Sequence, residues 1–220
     1  MRDNHTRIAV ILDRSGSMGS CRESTVTGFN TFIREQKKLP GTATVKLVQF
    51  DDEYEIVFDK PLQDAPELTQ ETFVPRGSTA LLDAQGRTII ELGKELEAMA
   101  ESERPSKVIV VTLTDGQENA STDFTTEKIA EMIKHQRETY GWDFVFLGAN
   151  QDAVKVGIAM NISPQASMTY KTSVQGMANT MRAASNYVKL SRSGLAPSFS
   201  EEERGMAMAE DEDEKLVKKK

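Results

Sequence analysis

Three runs dominated by apolar, largely β-branched residues organise the chain, at 6–12, 107–113 and 142–147. Runs without regular polar alternation are typical of strands that are covered on both faces, as in a parallel sheet. A further strand pattern lies at 43–50, and a marginal one lies at 166–170. The most apolar runs, 6–12 and 107–113, are expected at the centre of the sheet.

Segments between these strands carry apolar residues at three- and four-residue spacing, the period of an amphipathic helix. Strands that alternate with helices predict a doubly wound α/β fold, with a mostly parallel sheet and helices on both faces. A short helix is also predicted at 152–160 and a long one at 171–190. The other helical stripes consist of Val26, Phe29, Phe32 and Ile33; of Leu82, Ile89, Leu92, Leu96 and Met99; and of Ile129, Met132 and Ile133.

One pair of strands is expected to run antiparallel. Residues 54–58 form a strand pattern that follows 43–50 after only the polar turn Asp51-Asp52-Glu53. Because so short a connection cannot support a parallel crossover, the second strand should return beside the first. The sequence therefore predicts one antiparallel strand at an edge of the sheet.

The character of the chain changes near residue 190. Residues 1–190 carry the strand and helix patterns, whereas 191–220 combine a loop-like stretch with runs of charged residues and no apolar stripe. Such a composition cannot bury enough apolar surface to offset the entropy cost of ordering. We expect one domain over 1–190 and a charged, disordered tail over 191–220.

Composition limits the classes of function. The 220 residues have a formal net charge of -7, which argues against a nucleic-acid-binding protein, because such proteins carry a basic footprint. No apolar run reaches the roughly 18–20 residues that span a membrane, and 1–5 show no signal-peptide core. The single cysteine, Cys21, cannot form an internal disulfide. We therefore expect a cytoplasmic protein that binds neither nucleic acid nor membrane.

Polar side chains follow the ends of the two most apolar strands. Asp13, Ser15 and Ser17 come directly after the first run, and Asp115 follows the run at 107–113. Ligands of open α/β sheets bind at the carboxyl ends of the strands. Thr79 opens the long helix and is expected to reach the same point, so five side-chain oxygens should converge there.

These residues resemble the metal-ion-dependent adhesion site of the von Willebrand factor A domain family. That family carries Asp-x-Ser-x-Ser, then Thr, then Asp, which here are Asp13, Ser15, Ser17, Thr79 and Asp115. Short polar runs recur by chance, but the order, spacing and element context of all five positions make this match specific. The resemblance covers about residues 6–190. Because disulfides and a signal peptide are absent, it points to the stand-alone intracellular type found in bacteria and their phages.

The resemblance implies a ligand and a mechanism. The expected ion is Mg²⁺, with Mn²⁺ as the alternative, because hard cations prefer oxygen ligands. Ser15 and Ser17 would bind it directly, Thr79 directly in the ligand-ready state, and Asp13 and Asp115 largely through water. A partner protein would complete the shell with an Asp or Glu side chain. An AAA+ ATPase or a phage or bacterial assembly component is the kind of partner implied.

Other interpretations remain open at this point. Asp13 and the serines are also favoured helix caps, and Asp115 before Gly116 is a common turn pair. A structural or assembly subunit, with metal only for stability, is the main alternative function. A Mg²⁺-dependent hydrolase is less favoured, because the aspartyl-phosphate type has a carboxylate where Ser15 stands. We therefore expect no enzymatic activity.

The residues that flank the motif in sequence are candidates for the rim of the site. Arg76, Glu118 and Asn119 flank the motif residues in sequence and are candidates for partner contacts.

Overall fold

A computed structural model describes residues 1–211 and contains one mixed sheet of six strands in the order β3-β2-β1-β4-β5-β6. The strands are β1 (Arg2–Asp13), β2 (Thr42–Phe50), β3 (Tyr54–Pro61), β4 (Pro105–Thr114), β5 (Asp143–Ala149) and β6 (Ser167–Tyr170). The helices are α1 (Arg22–Lys37), α2 (Leu81–Ala98), α3 (Thr126–Tyr140), α4 (Ala153–Ala159), α5 (Val174–Arg192) and α6 (Glu201–Ala207). All pairs are parallel except β2 with β3, which confirms the predicted fold class.

The central strands are buried on both faces, as their unbroken apolar sequences predict. Consecutive residues of β1, from Ile8 to Leu12, are at most 2% exposed although their side chains alternate between the faces. On one side α1 packs against α5, and on the other α2 packs against α3. The core therefore consists of two apolar layers separated by the sheet.

The order of the strands brings two loops together. β1 lies between β2 and β4, and Leu12 pairs with Leu113. The connections from β1 and β4 then leave in opposite directions along the sheet, which creates a crevice at the carboxyl ends of these two strands. Asp13 and Asp115 lie at this point.

The short polar turn after β2 produces the expected antiparallel edge. Phe50 pairs with Tyr54, and β3 continues to Pro61, three residues beyond the predicted strand. The connection from β3 to α2 begins after Pro61 with a 3₁₀ turn at Leu62–Asp64.

The described part of the C-terminal segment differs from the prediction of disorder. α5 continues to Arg192, and α6 follows with a capping box between Ser200 and Glu203. The side chain of Phe199 packs against Tyr187, with ring centroids 5.1 Å apart. Composition missed this order because a single large apolar side chain and many polar contacts fix the segment. Residues 212–220, which were also predicted to be disordered, lie outside the described residues.

The same segment closes one edge of the sheet. Arg204 donates to the carbonyl oxygens of Ser167 and Pro164 at 2.7 Å each. The Lys171 N–H donates to the Ala207 carbonyl oxygen at 3.0 Å. These bonds satisfy backbone groups that an open edge would leave to solvent. Among residues 1–211, no helix combines the length and the apolar character needed to cross a bilayer.

We predict that Phe199→Ala lowers the free energy of unfolding by about 3–5 kcal/mol, because it removes a ring that is 5% exposed and leaves a cavity against Tyr187. Urea denaturation followed by circular dichroism measures the loss. Leu195→Ala is the matched control, since Leu195 lies in the same segment but is 58% exposed. Its effect should stay within about 0.5 kcal/mol. Equal effects of the two substitutions would show that the segment is not packed on the domain.

Candidate metal centre

Asp13 is the last residue of β1 and forms the floor of the site. Its side chain is fully buried, and each carboxylate oxygen accepts a hydrogen bond. The Ser15 N–H donates to Oδ1 at 2.6 Å, and the Thr114 hydroxyl donates to Oδ2 at 2.5 Å. The carboxylate is therefore fixed by the backbone of its own loop and by the last residue of β4.

The two serines extend from this floor to the surface. A 3₁₀ turn at Gly16–Cys21 follows Ser15 and brings Ser17 back over it, so that their hydroxyl oxygens are 3.1 Å apart. The Ser17 hydroxyl donates to Oδ1 of Asp115 at 2.6 Å. Ser15 is buried whereas Ser17 is exposed. The row of oxygens therefore runs from the core to solvent.

Thr79 joins the cluster from the loop before α2. A methyl group added at Gly116 would lie 3.0 Å from the Thr79 hydroxyl oxygen, 3.5 Å from that of Ser17 and 3.8 Å from that of Ser15. Three hydroxyl oxygens thus face one small space beside the Gly116 backbone. The structure brings together all five residues that the sequence singled out.

Among residues 1–211, no cationic side chain is one of the groups that shift the pKa of Asp13 or Asp115. Burial raises the pKa of Asp13 to about 6, and the other groups acting on it are Thr114, Ser15 and Asp115. Burial also raises the pKa of Asp115. Two desolvated carboxylates close together are costly unless a positive charge offsets them. This donor set therefore fits a bound cation.

The chemistry of the donors indicates the class of cation. All five side chains offer oxygen, and carboxylate and hydroxyl oxygens suit hard ions such as Mg²⁺, Mn²⁺ and Ca²⁺. Within residues 1–211, no group of three or more His, Cys, Asp or Glu side chains is arranged to hold a metal ion. Cys21 is buried, and burial raises the pKa of its thiol to about 11, so it is a poor thiolate donor.

Two of the three rim candidates accept hydrogen bonds from backbone N–H groups at the start of α2 and in the loop before it. The Asn119 side-chain oxygen accepts the Thr79 N–H at 2.9 Å, and the Thr79 carbonyl oxygen accepts the Asn119 N–H at 3.0 Å. Glu118 accepts the Leu82 N–H at 3.0 Å. These residues join the loop after β4 to the start of α2. Arg76 does lie at the surface, where its guanidinium is held by Asp51 and Glu53.

Sequence patterns missed two further residues that shape the site. Thr114 holds Asp13 through its hydroxyl, which also accepts the Gly116 N–H at 3.2 Å. Asp83, in the first turn of α2, accepts the N–H groups of Thr122, Asp123 and Phe124 at 2.9–3.0 Å. Thr114 was detectable as the residue before Asp115, but nothing local marks Asp83, since its partners lie about 40 positions away.

Comparison with solved structures agrees with this architecture. The fold matches proximal thread matrix protein 1 from the mussel byssus with a TM-score of 0.59 and 18% identity, over 86% of this chain and 46% of that one. A second structure of the mussel protein, with a zinc-occupied MIDAS motif, gives a TM-score of 0.56 at 18% identity, over 86% and 46% of the two chains. A von Willebrand factor type A structure from Catenulispora acidiphila gives 0.57 at 15% identity, over 84% and 43%.

These likenesses establish the fold. The chain has the architecture of a von Willebrand factor A domain and spans less than half the length of these three structures. No protein-family model matches the sequence, and no curated protein matches it.

We predict that Asp83→Ala destabilises the protein by about 2–4 kcal/mol, because three backbone N–H groups lose a charged acceptor. Urea unfolding in the presence of a chelator measures this loss without a contribution from metal. Asp123→Ala is the control: that carboxylate is half exposed and pairs with the exposed Arg87, so the change should be below about 1 kcal/mol. A similar loss in both variants would contradict a special role for Asp83 in fixing the loop.

Proposed function

We propose that this chain is a divalent-cation-dependent protein-binding module and not an enzyme. Asp13, Ser15, Ser17, Thr79 and Asp115 would hold Mg²⁺, with Mn²⁺ as the alternative ion. The observation that carries this proposal is the space beside Gly116, which three hydroxyl oxygens face and beside which two desolvated carboxylates lie.

The carboxylates and the hydroxyl groups have different roles in holding the ion. Asp13 and Asp115 supply negative charge, and their hydrogen-bond donors within residues 1–211 are neutral groups that do not compensate that charge. A serine hydroxyl can donate its proton to a carboxylate and still offer a lone pair to a cation. The bond from Ser17 to Asp115 is therefore compatible with metal binding by Ser17. Because Ser17 and Gly16 are exposed, the cluster is accessible from solvent.

The solvent-exposed side of the site is open to a side chain from another protein. When bound, the cation supplies a coordination position that a carboxylate from another molecule can fill. Gly16, Gly77 and Ser78 are small exposed residues next to the motif, and they leave room for a protruding Asp or Glu side chain. We therefore propose a partner protein that presents an acidic residue.

Support from the fold is general. The zinc-occupied MIDAS motif of the mussel protein is a property of that protein and favours divalent-cation binding by the same fold here.

His5 and His135 lie away from the site, His5 near the start of β1 and His135 within α3 beside Tyr140. The side chains for a Ser-His-Asp triad are therefore not assembled here. A bacterial or phage origin, a cytoplasmic location, and an AAA+ ATPase or assembly component as partner stay predictions.

We predict that wild-type protein binds one Mg²⁺ or Mn²⁺ per chain in calorimetric titration, and that Thr79→Val lowers the affinity at least about tenfold. Valine keeps the shape of threonine and removes the hydroxyl. Ser78→Ala is the matched control, because Ser78 is the exposed neighbour of Thr79. Asp13→Ala should abolish binding. Unchanged affinity in Thr79→Val would exclude Thr79 from the ligand set.

The same titration tests the role of a partner. Repeating it with a short peptide that contains Asp, and with the Asn analogue, should give tighter metal binding only with the Asp peptide. If the wild-type protein gives no heat of metal binding under any of these conditions, the result would favour the structural-subunit alternative.

A further inference from the structure

The turn after β5 adds a fourth chain segment to the candidate metal centre, beside the loops after β1 and β4 and the loop before α2. Asn150 and Gln151 follow Ala149, the last residue of β5. The Asn150 side-chain amide donates to the Asp115 carbonyl oxygen at 3.0 Å, and the Gln151 amide donates to the Gly116 carbonyl oxygen at 3.0 Å. Two consecutive carbonyl groups of the metal-site loop are therefore held by two consecutive side chains.

The backbone of this turn is specialised for that contact. Asn150 has φ of 55°, in the left-handed region that non-glycine residues seldom adopt and that asparagine tolerates best. The turn is also tied to β6, since the Ala153 N–H donates to the Thr169 hydroxyl at 3.1 Å. A strained conformation persists only where its surroundings maintain it, and such strain concentrates at functional sites.

We infer that Asn150 and Gln151 are positioning residues that set the cation selectivity of the site in favour of Mg²⁺ over Ca²⁺. This inference rests on the proposed function, because it concerns the ion that the five motif residues hold. Neither residue belongs to the motif, and neither needs to touch the ion.

The first reason is the geometry beside Gly116. The space faced by the three hydroxyl oxygens is bounded by the backbone of Gly116, and the carbonyl groups before and after the Gly116 Cα both accept amide donors. Mg²⁺ demands near-octahedral oxygens at about 2.0–2.1 Å, whereas Ca²⁺ accepts about 2.3–2.6 Å and irregular geometry. If hydrogen bonds prevent the Gly116 backbone from moving away from the ion, the site binds the larger Ca²⁺ less favourably than Mg²⁺.

The second reason is the number of available oxygens. Ca²⁺ takes about six to eight ligands and commonly recruits backbone carbonyl groups. The carbonyl oxygens of Asp115 and Gly116 each accept a hydrogen bond from an amide donor. Carbonyl groups held in this way are not free to turn toward a cation. The amides are neutral, so they restrict the loop without altering the charge of the site.

The test compares Mg²⁺ and Ca²⁺ affinities in a double variant, Asn150→Gly with Gln151→Met. Glycine keeps the left-handed backbone and removes the amide, and methionine keeps the length of glutamine and removes its donor. We expect Mg²⁺ affinity to fall about 10–100-fold, as for other outer-shell partners, and Ca²⁺ affinity to change much less. The ratio of the two affinities should therefore drop about tenfold or more.

Asn161→Gly is the matched control. Asn161, which follows α4, also has a positive φ, of 63°. Its carbonyl oxygen accepts a hydrogen bond from Arg137 of α3, away from the metal-site loop. Both affinities should be unchanged in this variant. Thermal melts identify any variant that fails to fold, in which case each single substitution is titrated separately. An equal loss for both ions, or no loss for either, would overturn the inference.

A measurement without metal separates this inference from the proposed function. In metal-free protein, backbone amides of 114–118 should exchange with deuterium faster in the double variant than in wild type or Asn161→Gly. If the wild-type protein binds neither ion, the proposed function fails and selectivity fails with it. Unchanged exchange overturns the positioning role whatever the titrations give.

Discussion

The register between β1 and β4 is the constraint on which the rest of the site depends. Because Leu12 pairs with Leu113, Asp13 lies beside Thr114, and the hydroxyl of Thr114 donates to the Asp13 carboxylate. A shift of one residue would turn the alternating side chains of either strand to the other face, and both faces are packed. The hydrophobic core therefore fixes the position of a polar cluster that contributes nothing to that core.

The same end of the sheet holds two kinds of acidic residue. Burial alone would raise the pKa of Asp51, but its hydrogen bond to Arg76 and the charge of Arg14 outweigh burial and lower it. Within the described part of the chain, no arginine is among the groups that shift the pKa of Asp13 or Asp115, and burial raises the pKa of both. The fold thus pairs one carboxylate with arginines and surrounds the other two with neutral donors. Only the second arrangement leaves negative charge for a ligand to balance.

Sequence alone was sufficient for the parts of the molecule that depend on local patterns. The apolar runs predicted the central strands, the turn at Asp51 predicted the antiparallel edge, and the motif identified five side chains that do converge. Sequence patterns did not predict the residues that support the site, because Asp83 and Asn150 bond to backbone groups that are distant in sequence. A hydrogen bond to a backbone group leaves no periodic signal, so only the tertiary structure shows which donor meets which acceptor.

The C-terminal segment shows how far such non-local support extends. β6 is a short edge strand of four residues. Its last residue, Tyr170, is fully buried and donates to the Thr114 carbonyl oxygen at 3.2 Å. The next residue, Lys171, is bonded through its N–H to Ala207. The segment that composition assigned to a tail therefore secures the strand that supports Thr114, and through Thr114 the carboxylate of Asp13.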